Sequence, residues 1–305
     1  MSGSSITMAP GSRTCTLSRP GWRGLGRALG LLLGYAVLSG CATTPSAALP
    51  GEPQGELLVP STDTLPRAPE TLRADVAVSG VHLGKIESTW CPRAGGGHLA
   101  TEMKASSLVK ALMQAGGRAR TELDLPETAP SASEYDLREG DVVRSYHVSY
   151  REGRFDFRYD RQGVLQLEGL EDVPEQARAH DMQSALMALR AWRPRLDESA
   201  HFYVVLGRRL WRADVRSMGP EVIKVEGVPQ LTSRVDGTAR RLWEAPGAPG
   251  PRTFSIWFGE QAERAPVRLT ADGKYGPVTM TLTARGTELD ACSPAQDPSA
   301  ALAPR

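Results

Sequence analysis

From Val278 the chain reads Val-Thr-Met-Thr-Leu-Thr, which places Val278, Met280 and Leu282 on one side of an extended backbone and Thr279, Thr281 and Thr283 on the other. A period of two is the repeat of a β-strand with one buried face, because successive side chains leave a pleated strand in opposite directions. The rhythm returns with Phe202, Val204 and Leu206, with Trp211, Ala213 and Val215, and with Phe254, Ile256 and Phe258. Glycine-bearing turns punctuate these runs at Leu206-Gly207, Met218-Gly219-Pro220, Asp236-Gly237 and Asp272-Gly273, and Glu152-Gly153 divides residues 142–150 from 154–160. Runs joined in this way form hairpins. The fold expected is mainly β: an antiparallel, strongly twisted sheet or open half-barrel of hairpins. One packed helix is expected over about 180–192, where Met182, Ala185, Leu186 and Leu189 recur at helical spacing behind Asp181, a good N-cap, and before Pro194. An alternating sheet leaves an apolar face in need of cover, and this helix is expected to supply it. A shorter helix is expected over Ser107–Ala115.

The first 40 residues carry Arg13, Arg19, Arg23 and Arg27, no acidic residue, and then the apolar run Ala28–Leu38. That order is the order of a removable signal peptide. Eleven apolar residues fall short of the ~20 that a helix needs to cross a bilayer core. Leu38-Ser39-Gly40-Cys41 resembles the bacterial lipobox, in which the cysteine is acylated and the chain is cut before it. Cys41 is therefore the expected lipidation site, with two or three acyl chains holding where one would be marginal. Ala42 behind it matches an outer-membrane address. The organisation expected is a signal peptide over 1–40, a lipid anchor and Pro/Ser/Thr-rich tether over 41–70, a single antiparallel β domain over 71–290, and a flexible tail over 291–305.

Without residues 1–40 the chain has 32 basic and 35 acidic residues, a net charge of −3. Near-neutrality argues against nucleic acid as a partner, which calls for a basic stripe. His82, His98, His147, His180 and His201 show no metal-ligand spacing and there is no Cys-x-x-Cys pair, so neither a metal nor a cofactor is expected. Of the four cysteines, Cys91 and Cys292 remain once Cys15 leaves with the signal and Cys41 is acylated, and a disulfide between them is expected.

Two functional readings follow. In the first, the protein is a non-enzymatic envelope component whose concave face, with Tyr146, Tyr203, Trp211 and Trp257 as the expected ligand face, binds a lipid, a glycan or an envelope protein. In the second, it is a periplasmic hydrolase of envelope polymer in which His180, Asp181 and Ser184 share a proton-transfer role. The plainer role for Asp181 is to cap the helix.

Three segments carry a wider resemblance: His180–Leu186 through Trp192; Tyr203–Trp211 with Val222–Gly227; and Ile256–Phe258 with Ala265–Leu269 and Gly276–Val278. Together they resemble the bacterial envelope family known as domain of unknown function 3108, over about Arg73 to Arg285. The resemblance implies an antiparallel β domain, often secreted or lipid-anchored, and supplies no catalytic residues. Met182 stands where that family commonly has proline, and Gly259-Glu260 where acidic residues commonly follow the tryptophan strand.

Overall fold

A computed structural model describes residues 55–60, 65–107, 109, 116–124, 128–243, 250–261, 263–273, 275–287 and 292. Its strands are β1 (Glu56–Leu57), β2 (Glu70–Val78), β3 (Val81–Arg93), β4 (Gly96–Ala105), β5 (Gly116–Asp124), β6 (Ala129–Glu139), β7 (Val142–Arg151) and β8 (Arg154–Arg161). They continue as β9 (Val164–Asp172), β10 (Ala179–His180), β11 (Ser199–Leu206), β12 (Arg209–Val225), β13 (Val228–Arg241), β14 (Arg252–Gly259), β15 (Pro266–Gly273) and β16 (Gly276–Gly286). The helix α1 spans Met182–Ala191. All sixteen strands belong to one sheet, ordered β1-β11-β12-β13-β14-β15-β16-β2-β3-β4-β5-β6-β7-β8-β9, with β10 also on β11. Hairpin follows hairpin except where β16 pairs with β2 and joins the late strands to the early ones. The expected architecture is the one found: antiparallel hairpins form an open barrel around one helix. The shorter helix expected over Ser107–Ala115 lies largely outside the described residues.

Curvature comes from extra residues. Register shifts interrupt the ladders at Ser217/Gly219, Trp257/Phe258, Leu282/Ala284, Val76/Ala77 and Glu122/Leu123, and each bulge bends its strand and increases its twist. The sheet is not closed by a hydrogen-bonded ladder; its two ends meet through side chains. Tyr203, Val205 and Leu210 on the outer face of β11–β12 pack with Val148, Tyr150, Phe155 and Phe157 of β7–β8. Phe202, Val204 and Leu206 on the other face of β11 pack with α1. Residues 200–206 are consequently all buried, and β11 reads as the continuous apolar run of a strand covered on both sides. Gly207 turns from β11 to β12 at φ +64, and a Cβ there would lie 3.1 Å from the Tyr146 ring, so this seam requires glycine twice over.

Part of the stretch expected as tether lies within the fold. β1 pairs in parallel with β11, and Leu58 joins the core beside α1. At the other end of the chain, Cys292 is bridged to Cys91 of β3, with Cα atoms 5.6 Å apart across 201 residues of sequence. Closing so long a loop restricts the unfolded chain. Reducing this disulfide is expected to lower the unfolding free energy by about 2–4 kcal/mol, measured as a lower urea midpoint with dithiothreitol than without. An unchanged midpoint would contradict this contribution.

Candidate functional site

The helix does not fill the barrel. Beside it lies a cavity of about 230 Å³, large against the roughly 10–15 Å³ that one water molecule requires. Its walls come from α1 and from strands on both sides of the β16–β2 junction, with Trp90, Phe202, Trp211, Phe254 and Met280 among the large apolar contributors. The space exists because many wall positions are small. Ala119, Ala185, Ala213, Ala239 and Ala271 all line it, where larger side chains would close it at the packing density usual for a protein interior.

Side chains at both ends of α1 tie it to the sheet, as their burial demands. At its start, Asp181 accepts hydrogen bonds from the Ser184 backbone N–H at 2.7 Å and from the Ser184 hydroxyl at 2.6 Å, while the Asp181 backbone N–H donates to Ser184 Oγ at 2.8 Å. This is a capping box with serine at the third position. The second carboxylate oxygen of Asp181 accepts from Thr121 of β5. Near the other end, Arg190 forms a two-point ion pair with Glu70 of β2, both side chains at least 96% buried, and its Nε–H donates to the Glu263 carbonyl. Arg285 adds a second cation to Glu70 at 2.6 Å and also pairs with Glu263. The charges bordering the cavity therefore neutralise one another, and its lining is mainly apolar, with the amide of Gln183 and the indole N–H of Trp211 left as buried polar groups without a hydrogen-bond partner.

The sequence-based site residues separate in space. Trp211 lines the cavity. Tyr203 does not: it faces the β7–β8 seam and donates from its hydroxyl to Glu175 at 3.1 Å. Tyr146 stacks on Tyr159 with ring centroids 4.8 Å apart. Trp257 lies with Ile223, Val225 and Val267, donates from its indole N–H to Glu221 at 2.9 Å, and sits beneath the Arg234 guanidinium. The four do not form one ligand face, and strand parity is the reason: Tyr203 and Trp257 alternate with Phe202 and Ile256, so they point away from the interior. Trp90, absent from the sequence reading, lines the cavity and donates from Nε1 to Pro66 O at 2.9 Å. Ile86, Ser88 and Trp90 share its parity, a signal that the serine obscures. Cys41 lies outside the described residues.

His180 and Asp181 are adjacent without forming a proton-transfer pair. Asp181 is occupied by the helix start and Thr121, whereas His180 Nδ1 has no hydrogen-bond partner and its ring meets Phe202 edge-on at 6.1 Å. Burial lowers its pKa to about 4. A second histidine is better connected. His201 places Nδ1 2.7 Å from the Gly55 carbonyl and Nε2 3.1 Å from Glu175. Both partners accept, so holding both bonds requires both ring nitrogens to donate. This arrangement fastens the residues at the start of β1 to β11. Among the described residues no three His, Cys, Asp or Glu side chains gather as a metal site.

The architecture defines an open, barrel-like β protein. It is similar in fold to a β-barrel-like protein of domain of unknown function DUF1849 from Brucella abortus, with a TM-score of 0.50 and 8% identity, covering 72% of this chain and 98% of that one. The lipoprotein LppX of Mycobacterium tuberculosis also matches, at a TM-score of 0.25 and 13% identity, over 70% of this chain and 84% of that chain. The chain belongs to the family described as protein of unknown function (DUF3108), whose model matches residues 95–283. No curated protein sequence matches it.

The buried imidazole gives the fold a pH signature. In the unfolded chain His180 takes up its proton near the ordinary histidine value of ~6.5; in the fold it does so at about 4. Its contribution is thus complete above the unfolded value and is lost as pH falls toward the folded one. Between pH 7.5 and 4.5 the wild-type protein is expected to lose about 2–3 kcal/mol more stability than His180→Phe, compared by urea unfolding. Equal losses would contradict the burial of a neutral ring.

Proposed function

We propose that this protein is a lipid-anchored component of the bacterial envelope, held at Cys41 on the outer membrane, that binds a hydrophobic ligand inside its open barrel without catalysing a reaction on it. The observation that supports binding is the apolar cavity beside α1, bordered by mutually neutralised charges. Each methylene moved from water into such a space contributes about 0.8 kcal/mol. A ten-carbon chain therefore gains roughly 8 kcal/mol before the cost of ordering it, enough for useful affinity without a charged contact. A lipid acyl chain fits this mainly apolar lining better than a glycan, for whose many hydroxyls the walls offer chiefly Gln183, Trp211, Ser88 and Thr101, and the unpaired amide of Gln183 suits a single polar group on such a chain. The lipobox and signal order support the anchor, and the residues between Cys41 and Gly55 supply the tether to a domain that β1 and Leu58 already join.

The hydrolase alternative has less support, since Asp181 is engaged in capping and His180 has no hydroxyl or carboxylate partner at Nδ1.

Ala271 lines the cavity from β15. Ala271→Phe is expected to reduce affinity for a fluorescent long-chain acyl probe at least tenfold, measured by titration, while the far-ultraviolet circular dichroism spectrum stays that of the wild type. Retained affinity in the folded variant would place binding elsewhere and overturn the proposal.

A further inference from the structure

The start of the described chain and the longest hairpin point toward the same end of the barrel. β1 runs parallel to β11, with Glu56 opposite Ala200 and Leu57 opposite His201. Ser199, where β11 begins, is opposite Arg216 of β12. Traced backward from Gly55, the chain therefore leaves the sheet at the level of Arg216 and Ser217. From that same level β12 runs on to Val225, turns, and returns as β13. The overhang extends about 25–30 Å at ~3.3 Å per residue.

This end carries an unusual surface. Val222 and Leu231 are direct cross-strand partners, 65% and 55% exposed, and Val228 beside the turn is 59% exposed. Leu196 and Met218 are exposed nearer the body of the barrel. On the opposite side of the hairpin, Ile223 and Val225 are already buried with Trp257 and Val267, and Val228, the cross-strand partner of Val225, is on that side. The hairpin is thus apolar on both faces, whereas an antiparallel sheet with one packed face ordinarily presents polar residues on the other. Contiguous exposed apolar groups mark a contact surface. Lys224 shares the face of Val222, Arg268 donates to the Lys224 carbonyl at 2.6 Å from the other face, and Glu226 lies in the turn.

We propose that the tip of the β12–β13 hairpin docks onto the lipid surface that holds Cys41, with Val222 and Leu231 entering the headgroup boundary and Lys224, on the same face, directed to lipid phosphates. The inference rests on the acylation of Cys41. Thirteen residues separate Cys41 from Gly55, a reach of at most ~50 Å, and Gly55 lies at the level from which the hairpin overhangs. Anchor and hairpin together would fix the orientation of the barrel at the bilayer, where an anchor alone leaves it free to turn.

The test uses the processed full chain reconstituted in vesicles of phosphatidylethanolamine and phosphatidylglycerol. In Val222→Cys the new thiol is the sole unpaired one, with Cys41 acylated and Cys91 bridged to Cys292, and it takes an environment-sensitive fluorophore. Lipids bearing a shallow nitroxide are expected to quench this label at least twofold, and to leave unquenched the same label at Val164→Cys on β9, where the native side chain is 62% exposed. A chain that floats with the vesicles yet shows no quenching at position 222 overturns the docking proposal alone. Shielding from water without quenching by lipid assigns the surface to a second copy or another protein, and also overturns it. A chain that does not float refutes the anchor, and the docking proposal with it.

Discussion

The structure depends on holding one helix inside a sheet that never closes its ladder. α1 meets the barrel through opposite chemistries at its two ends: a capping carboxylate shared with Thr121 of β5, and a buried guanidinium paired with Glu70 of β2. Neither group tolerates loss of its partner, because an uncompensated buried charge costs about 3–5 kcal/mol. Arg264 adds a third tie by donating to the Trp192 carbonyl just past the helix. Fixed at both ends, the helix cannot settle onto the alanine-lined wall, and the cavity persists beside it.

The same constraint explains how an open sheet behaves as a barrel. With α1 on one face of β11 and the β7–β8 hairpin on the other, the ends of the sheet overlap and are joined by packing. Pairing of β1 and β10 along the β11 edge then covers backbone groups that would otherwise offer a template for aggregation. His201, bonded to Gly55 and Glu175, secures the first of these short strands.

Strand periodicity made the architecture legible from sequence. The alternation at Phe202–Leu206, Trp211–Val215, Phe254–Phe258 and Val278–Leu282 marks the interior positions, and Asp181 with Met182, Ala185 and Leu189 marks the helix. The candidate site is less legible because aromatic character alone does not tell the inner face of a strand from the outer. Tyr203 and Trp257 sit one residue out of phase with the interior set, and the same alternation that defines their strands turns them outward. Trp90 was hidden for a different reason: Ser88 and Thr101 interrupt the apolar rhythm of β3 and β4 although both line the cavity. Alanine is an equally silent signal, since a wall of small residues reads as weak hydrophobicity in sequence and as volume only in three dimensions. The disulfide was legible by elimination among four cysteines; the bond from His201 to Gly55 depends on a parallel pairing that local pattern does not reveal.

An apolar interior that its own helix leaves unfilled is most economically explained by a guest. Native mass spectrometry of the chain gently extracted from its source membranes tests this most directly. The account expects a noncovalent adduct of lipid mass, one per chain, that dissociates in organic solvent while the covalent acyl groups remain. A chain that carries only its covalent acyl groups, and that binds no acyl lipid when offered one, would contradict it.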